Sequence, residues 1–230
     1  ETFLKAVLAQ SREATLGARA LLVLGNIAYA QERYADAIEK YQQFVTQYPQ
    51  DSALAQAYFW LGMARFQAQQ FSESYAALTK ALSIGGLPES MTAKAHYRMG
   101  ESQYQMGNYQ AAITSFQQVT GKPFAGQEKS ELAYAHFWTG ESLYYLKQFA
   151  PAIEAFKKSL AYQPPQELLS SVHYRMGSAY EELGQRAEAD AAFQRADATG
   201  SNASSISDAS AATFRLAQSL QRQGKYAQAI

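Results

Sequence analysis

The sequence predicts an all-α fold, an α-solenoid of stacked antiparallel helix pairs, and three observations predict it. A short phrase recurs as Leu24-Gly25, Leu61-Gly62, Met99-Gly100, Thr139-Gly140 and Met176-Gly177, its glycines 37, 38, 40 and 37 residues apart. Nine residues after each glycine stands Tyr34, Phe71, Tyr109, Phe149 or Arg186. Prolines punctuate successive copies at matching places: Pro49, Pro88, Pro123, Pro164 and Pro165. A period of roughly 20 to 50 residues marks architectures in which each unit buries its apolar face only against its neighbours.

On this reading repeats occupy 18–54, 55–92, 93–132, 133–169 and 170–209, preceded at 1–17 by the end of an earlier copy and followed at 210–230 by a truncated sixth. Phe3 and Ala6 fit the second helix of the earlier copy. In the first repeat, apolar or small residues return every three or four positions on both sides of a polar break at Gln31 to Arg33, the spacing of two amphipathic helices joined by a tight turn. The second repeat has Gln69 at that turn and the fourth has Lys147, as the first has Glu32. The third, fifth and sixth carry Gly107, Gly184 and Gly224, which suit the left-handed backbone just past a helix end; the non-glycine residues hold it at some cost. Pro151 lies just inside the second helix of the fourth repeat, where proline is tolerated. Two glycines and a proline in Thr120 to Ser130 account for the 40-residue step, and the Ser-rich stretch Gly200 to Ser210 reads as a mobile linker. Its Asn202-Ala203-Ser204 matches a glycosylation acceptor, a match short enough to arise by chance.

The small residues have a mechanical reason. A glycine in the first helix, opposite Ala37, Ser74, Ala112, Ala152 or Ala189 on the second, lets two backbones approach at the short end of the usual range of about 8–10 Å. Tyr41, Phe116, Phe156 and Phe193 are then expected to fill the space between successive pairs.

Composition excludes several function classes. The 20 basic and 20 acidic residues cancel, and no dense Lys/Arg run offers a footprint for nucleic acid or anionic lipid. The longest apolar stretch, Ala20 to Ala30, is broken by Gly25 and Asn26 and falls short of the roughly 20 residues that span a bilayer. No cysteine is present, so disulfides, Cys-ligated zinc and thiol nucleophiles are absent together. Beginning at Glu1 without a leader and stopping inside a motif, the chain reads as a fragment of a larger protein.

These residues resemble the tetratricopeptide repeat, whose helix-turn-helix unit of about 34 residues carries Leu-Gly, an aromatic, Gly-x-Tyr, Ala, an aromatic and Pro. Met99-Gly100, Tyr104, Gly107-Asn108-Tyr109, Ala112 and Phe116 form the best copy; Leu24-Gly25, Tyr34, Ala37, Tyr41 and Pro49 form another, and Leu216-Ala217, Gly224, Tyr226 and Ala229 begin the last. The period here is longer, and the first-helix aromatic lies four residues after the glycine at Tyr29, Phe66, Tyr104 and Tyr144, reverting to three at Tyr180. Long-period copies ending in Tyr48-Pro49 are similar to tetratricopeptide proteins of the bacterial cell envelope, which implies a periplasmic or envelope-associated location, with a cytoplasmic one as the alternative.

The resemblance implies a right-handed superhelix whose first helices line a concave groove. With each glycine as position eight, position five reads Leu22, Phe59, Tyr97, Phe137, Tyr174 and Phe214, and position six reads Val23, Trp60, Arg98, Trp138, Arg175 and Arg215. Position nine reads Asn26, Met63, Glu101, Glu141 and Ser178. Aromatic and Arg side chains are enriched as interface anchors, so the candidate partner-binding residues are Trp60, Trp138, Arg98, Arg175, Tyr97, Phe137, Tyr174, Asn26, Lys94, Glu101 and Glu141. Position-five aromatics can equally pack against the neighbouring unit. Asn26, Lys94 and Arg98 also match three of the five residues of a carboxylate clamp, but Leu22 and Trp60 stand where it needs lysine and asparagine. His96, His136 and His173 each take position four; first helices about 8–10 Å apart cannot bring imidazoles to one zinc at about 2.0–2.1 Å, so they read as packing residues.

The expected function is a non-catalytic protein-protein interaction scaffold that binds a peptide or partner helix in the groove, within a bacterial envelope or secretion assembly. No catalytic residue, metal or cofactor is implied, and neither nucleic acid nor membrane insertion by this segment. Two alternatives stand beside it: a structural spacer or self-association module, and substrate-recruiting repeats of a larger enzyme.

Overall fold

The computed structural model describes residues 14–123, 126–200 and 206–222. Among these there are helices, turns and no strand. First helices of successive pairs are α1 (Ala14–Ala30), α3 (Leu54–Gln67), α5 (Glu89–Gln105), α7 (Lys129–Tyr145) and α9 (Gln166–Glu182). Their partners are α2 (Tyr34–Gln47), α4 (Phe71–Ile84), α6 (Tyr109–Thr120), α8 (Phe149–Ala161) and α10 (Arg186–Gly200), and α11 (Ile206–Arg222) follows. The chain forms two compact units, 1–115 and 116–230. In the first, α1 packs on α2, α2 on α3, α3 on α4 and α4 on α5, with direct first-helix contacts α1–α3 and α3–α5. In the second, the same order runs from α8 packed on α7 to α11 packed on α10, with direct contacts α7–α9 and α9–α11.

The long period has a visible cause. α1, α5, α7 and α9 are 17 residues long and begin about one turn ahead of the boundaries 18, 93, 133 and 170; α3 has 14 residues, and the longer connection 48–53 precedes it. The Ser-rich linker is shorter than expected, because α10 continues through Gly200 and α11 begins at Ile206. Phe3, Ala6, Asn202, Gly224, Tyr226 and Ala229 lie outside the described residues.

All five intra-pair turns are the same Schellman motif. After α1, the Glu32 amide donates to Tyr29 O (2.9 Å) and the Arg33 amide to Ala28 O (2.9 Å); Gln69/Gln70, Gly107/Asn108, Lys147/Gln148 and Gly184/Gln185 repeat the pattern. The motif requires a left-handed residue. Glu32, Gln69 and Lys147 supply it at φ 59°, Gly107 and Gly184 at 76° and 73°. Because a side chain in this region costs roughly 1–2 kcal/mol, partly offset by glycine's greater freedom when unfolded, Gln69→Gly and Lys147→Gly are each expected to stabilise by about 0.5–1 kcal/mol in urea unfolding.

Two aromatic rings clasp each of the first four turns. Tyr29–Tyr34, Phe66–Phe71 and Tyr104–Tyr109 have centroids 5.5 Å apart and Tyr144–Phe149 5.4 Å, all edge to face. These are the residues four and nine positions after the glycine. The fifth repeat, with Tyr180 at three and Arg186 at nine, lacks both partners of the clasp.

The phrase glycines do more than let backbones approach. A Cβ on Gly140 would stand 2.5 Å from a Phe156 ring carbon, on Gly177 2.5 Å from Phe193, on Gly25 2.5 Å from Tyr41, and on Gly62 2.5 Å from Leu78 Cγ. Each large side chain therefore lies on the glycine of its own pair, and Tyr41 and Phe156 also share a core cluster with residues of the next pair, the place expected for them. The glycine is a seat for a ring more than a contact between backbones. Small residues complete the closeness: Ala37, Ala152 and Ser74 are fully buried, and Ser74 Oγ donates to Gly62 O at 2.8 Å.

The position-four histidines pack. His136 stacks on Tyr162 with centroids 5.3 Å apart, and His173 is buried. Burial lowers the pKa of all three; that of His136, beside the Lys158 charge, falls to about 4, and the Arg195 charge adds to the effect on His173. A folded-state pKa below the unfolded value of about 6.5 gives stability that is fully present above that value and is lost as pH falls toward 4. Glu101, whose pKa burial raises, acts in the opposite direction. The melting temperature should therefore drop between pH 7 and pH 5, and His136→Phe, which keeps the stack, should flatten that dependence.

Candidate functional site

Within each unit the first helices place position six of one repeat against position twelve of the repeat before it, and this register builds the candidate site. In the first unit, Trp60 on α3 meets Tyr29 on α1 edge to face at 5.5 Å and its neighbour Phe59 at 5.2 Å. Trp60 is half-buried, and its Nε1–H has no acceptor among the described residues. One repeat further, the Arg98 guanidinium on α5 lies 4.8 Å from the Phe66 ring centroid and 5.8 Å from that of Tyr97. Arg98 Nη1 donates to Glu101 Oε2 at 2.5 Å. Burial pushes the Glu101 carboxyl upward, while the Arg98 charge and hydrogen bonds from Arg98 and Tyr97 oppose it.

The second unit repeats the theme. Trp138 on α7 is half-buried and meets Phe137 edge to face at 5.3 Å. The Arg175 guanidinium on α9 lies 5.9 Å from the Tyr144 ring on α7 and 5.9 Å from Tyr174, and its Nε sits 3.0 Å from Glu141 Oε1 on α7. Arg215 Nη1 on α11 approaches Glu181 Oε2 at 3.7 Å, continuing the six-on-twelve register. Cations over ring faces gain about 0.5–1 kcal/mol where exposed, more when desolvated. Each guanidinium thus lies near two rings, is paired with a carboxylate, and is still 28% or 30% exposed.

Several candidate residues behave differently. Phe137 is a core residue, packed against Phe156 at 5.9 Å with Val172 and Met176 in the same cluster, because position five turns toward the neighbouring second helix; a partner does not reach it. Glu141 is buried too and acts through Arg175. Tyr97 and Tyr174 are half-buried, Tyr174 lying 5.8 Å from Phe193. Asn26 is exposed, but its Oδ1 accepts a hydrogen bond from the Tyr41 hydroxyl at 2.7 Å, so its amide oxygen is committed within its own pair. Lys94 is exposed one turn before Arg98. The position-twelve rings Tyr29, Phe66 and Tyr144 form the floor under Trp60, Arg98 and Arg175; their recurrence four residues after the glycine is the signal that marks them.

Two shallow recesses lie beside this stripe, the second sharing Tyr144 with it. One, of about 390 Å³, is bounded in the first unit by Ala35, Ile38, Gln42, Thr46 and Arg65; the other, of about 360 Å³, by Tyr144, Tyr145, Lys147, Phe149 and Glu182 in the second. Among the described residues no group of three or more His, Cys, Asp or Glu could hold a metal ion, and no helix is long and apolar enough to cross a membrane.

Comparisons with known proteins agree with this architecture. No curated protein matches the sequence. Among solved structures, the C-terminal part of a TPR repeat-containing protein from Cytophaga hutchinsonii matches at TM-score 0.76 with 14% identity, covering 99% of this chain and 85% of that one. YrrB, described as a TPR protein with an unusual peptide-binding site, matches at 0.68 with 18% identity over 88% of this chain and 94% of its own. MamA from Desulfovibrio magneticus RS-1 matches at 0.65 with 16% identity over 78% and 92%. At these identities the likeness concerns the fold. Family membership comes from the sequence: one tetratricopeptide repeat model matches residues 2–52 and 97–167, just over half the chain, and a second matches 55–84 and 170–198. Tetratricopeptide repeats bind protein partners and generally carry no chemistry of their own. With consecutive packed helix pairs, a Schellman turn in each and two repeat models matching in phase, the chain belongs to the tetratricopeptide repeat family, an all-α solenoid of protein-interaction scaffolds.

Proposed function

We propose that the stripe of first helices docks a segment of a protein partner, as an extended peptide or an amphipathic helix, and that the chain performs no catalysis itself. One observation carries this reading: Trp60, Arg98, Trp138 and Arg175 keep surface area while rings and carboxylates hold them in place. Side chains ordered before binding lose little entropy on contact, and Trp and Arg are the residue types that dominate interface energetics. The peptide-binding description attached to YrrB supports the same use of the fold. The long-period copies ending at Tyr48-Pro49 support an envelope or secretion assembly as the setting, which fractionation of the native organism would check. Peptides selected by display on the intact chain supply the test of docking. Trp60→Ala combined with Trp138→Ala should weaken their binding at least tenfold while helical circular dichroism stays unchanged; unchanged affinity would remove the stripe as the docking surface.

A further inference from the structure

Beyond the 37–40-residue repeat, the stripe carries a second, doubled period. His96-Tyr97-Arg98-Met99-Gly100 recurs unchanged as His173-Tyr174-Arg175-Met176-Gly177, 77 residues on, and Phe59-Trp60-x-Gly62 recurs as Phe137-Trp138-x-Gly140 after 78. Around these words the sequence differs: Ser102 to Phe116 and Ala179 to Phe193 share little beyond the repeat pattern. Gly, Met and Phe recur for packing reasons already given, but the exposed part of Arg and Trp does not need to. The net gain of an Arg–Glu pair over apolar residues packed in its place is small, even where removing one partner alone is costly, and Val23 fills position six in the first repeat. Both arginines also arrive in the same state, lying near position-twelve and position-five rings with a position-nine carboxylate as partner, although Glu101 is on the same helix as Arg98 and Glu141 is on the helix before Arg175.

Resting on the docking function proposed above, we infer that the chain carries two equivalent stations, Trp60 with Arg98 in the first unit and Trp138 with Arg175 in the second, and that each binds an uncharged, apolar segment of extended peptide. The chemistry follows from the charges. Each guanidinium already has its carboxylate, so the Arg–Glu pair at the centre of each station carries no net charge. A second carboxylate would face the resident Glu; a backbone carbonyl oxygen is the acceptor that fits without repulsion. The indole, about one inter-helix spacing of 8–10 Å from the guanidinium, takes an apolar side chain two or three residues along an extended chain. Around the two pairs the flanking charges differ: Lys94 and Arg65 stand where the second station has Ser171 and Leu143, and Glu181 and Glu182 stand where the first has Tyr104 and Gln105. The natural partner then presents such a segment in two copies.

Trp60 and Trp138 are the only tryptophans in the chain, one per station, so each station has its own fluorophore. The probe is the blocked heptapeptide acetyl-Ser-Leu-Ser-Phe-Ser-Leu-Ser-amide, whose alternation puts three apolar side chains on one side of an extended strand. Trp138→Phe leaves Trp60 to report on the first station, and Trp60→Phe leaves Trp138 to report on the second. Both variants should show saturable emission changes with dissociation constants within about threefold of each other, and calorimetry on the unaltered chain should give two peptides per chain. The affinities should change less than threefold between 50 mM and 500 mM NaCl. Arg98→Ala should weaken the Trp60 response at least fivefold and leave the Trp138 response alone. One peptide per chain, or a single responding tryptophan, overturns the duplication while leaving the docking function standing. A steep loss with salt, or no response from either tryptophan, overturns the uncharged-segment chemistry; display-selected peptides that still depend on both tryptophans would then show that docking itself survives.

Discussion

Phe156→Ala is expected to lower stability by about 3–5 kcal/mol, the cost of a large core truncation that leaves a cavity. The ring is fully buried, lies on Gly140 where a Cβ would stand 2.5 Å from one of its carbons, and leans on Phe137 at 5.9 Å. On the glycine side the wall is helix backbone, which cannot relax into the space. Phe193→Ala, over Gly177 and beside Tyr174, should cost about the same. Gly140→Ala attacks the seat from the other side: a modest gain in helix propensity is outweighed by about 1–3 kcal/mol of overpacking against the ring. Urea unfolding of the three variants checks this, and losses below 1 kcal/mol for Phe156→Ala would mean the ring is not the pair's keystone.

Arg175→Ala is expected to cost about 2–4 kcal/mol, much more than Arg98→Ala at about 1 kcal/mol. Breaking a buried pair by removing one partner strands the other charge, and the penalty follows the burial of the group left behind. Glu141 is 3% exposed and Glu101 12%, and Arg175 joins two helices whereas Arg98 and Glu101 share one. The 30% exposure of Arg175 admits water and trims the upper figure. Adding Glu141→Leu to Arg175→Ala should recover most of the loss, since it removes the stranded charge; a double-mutant cycle reads the coupling. A double variant no better than Arg175→Ala alone would contradict the account.

The helix pairs, the turns and the tolerated Pro151 were legible in the sequence because each rests on local chemistry: period, left-handed backbone, missing N–H. The left-handed conformations at Glu32, Gln69 and Lys147 follow from alignment with Gly107 and Gly184 alone. Other features depend on how helices meet, which spacing does not encode. That Tyr41 and Phe156 also lie on the glycine of their own pair turns on side-chain direction, since contact with the next pair alone would give the same apolar period. Arg98 with Glu101 could be read as an i,i+3 pair, but Glu141 with Arg175 requires the stacking register between α7 and α9. That register also separates Phe137, which the core takes, from Trp138 beside it, which keeps surface.

The central claim is that partners dock on the first-helix stripe. A photoreactive derivative of a display-selected peptide, cross-linked to the intact chain and mapped by mass spectrometry, tests it most directly. Cross-links should fall on α3, α5, α7 and α9 around Trp60, Arg98, Trp138 and Arg175. Cross-links confined to second helices, such as the recess bounded by Ile38, Gln42 and Thr46 on α2, would contradict it.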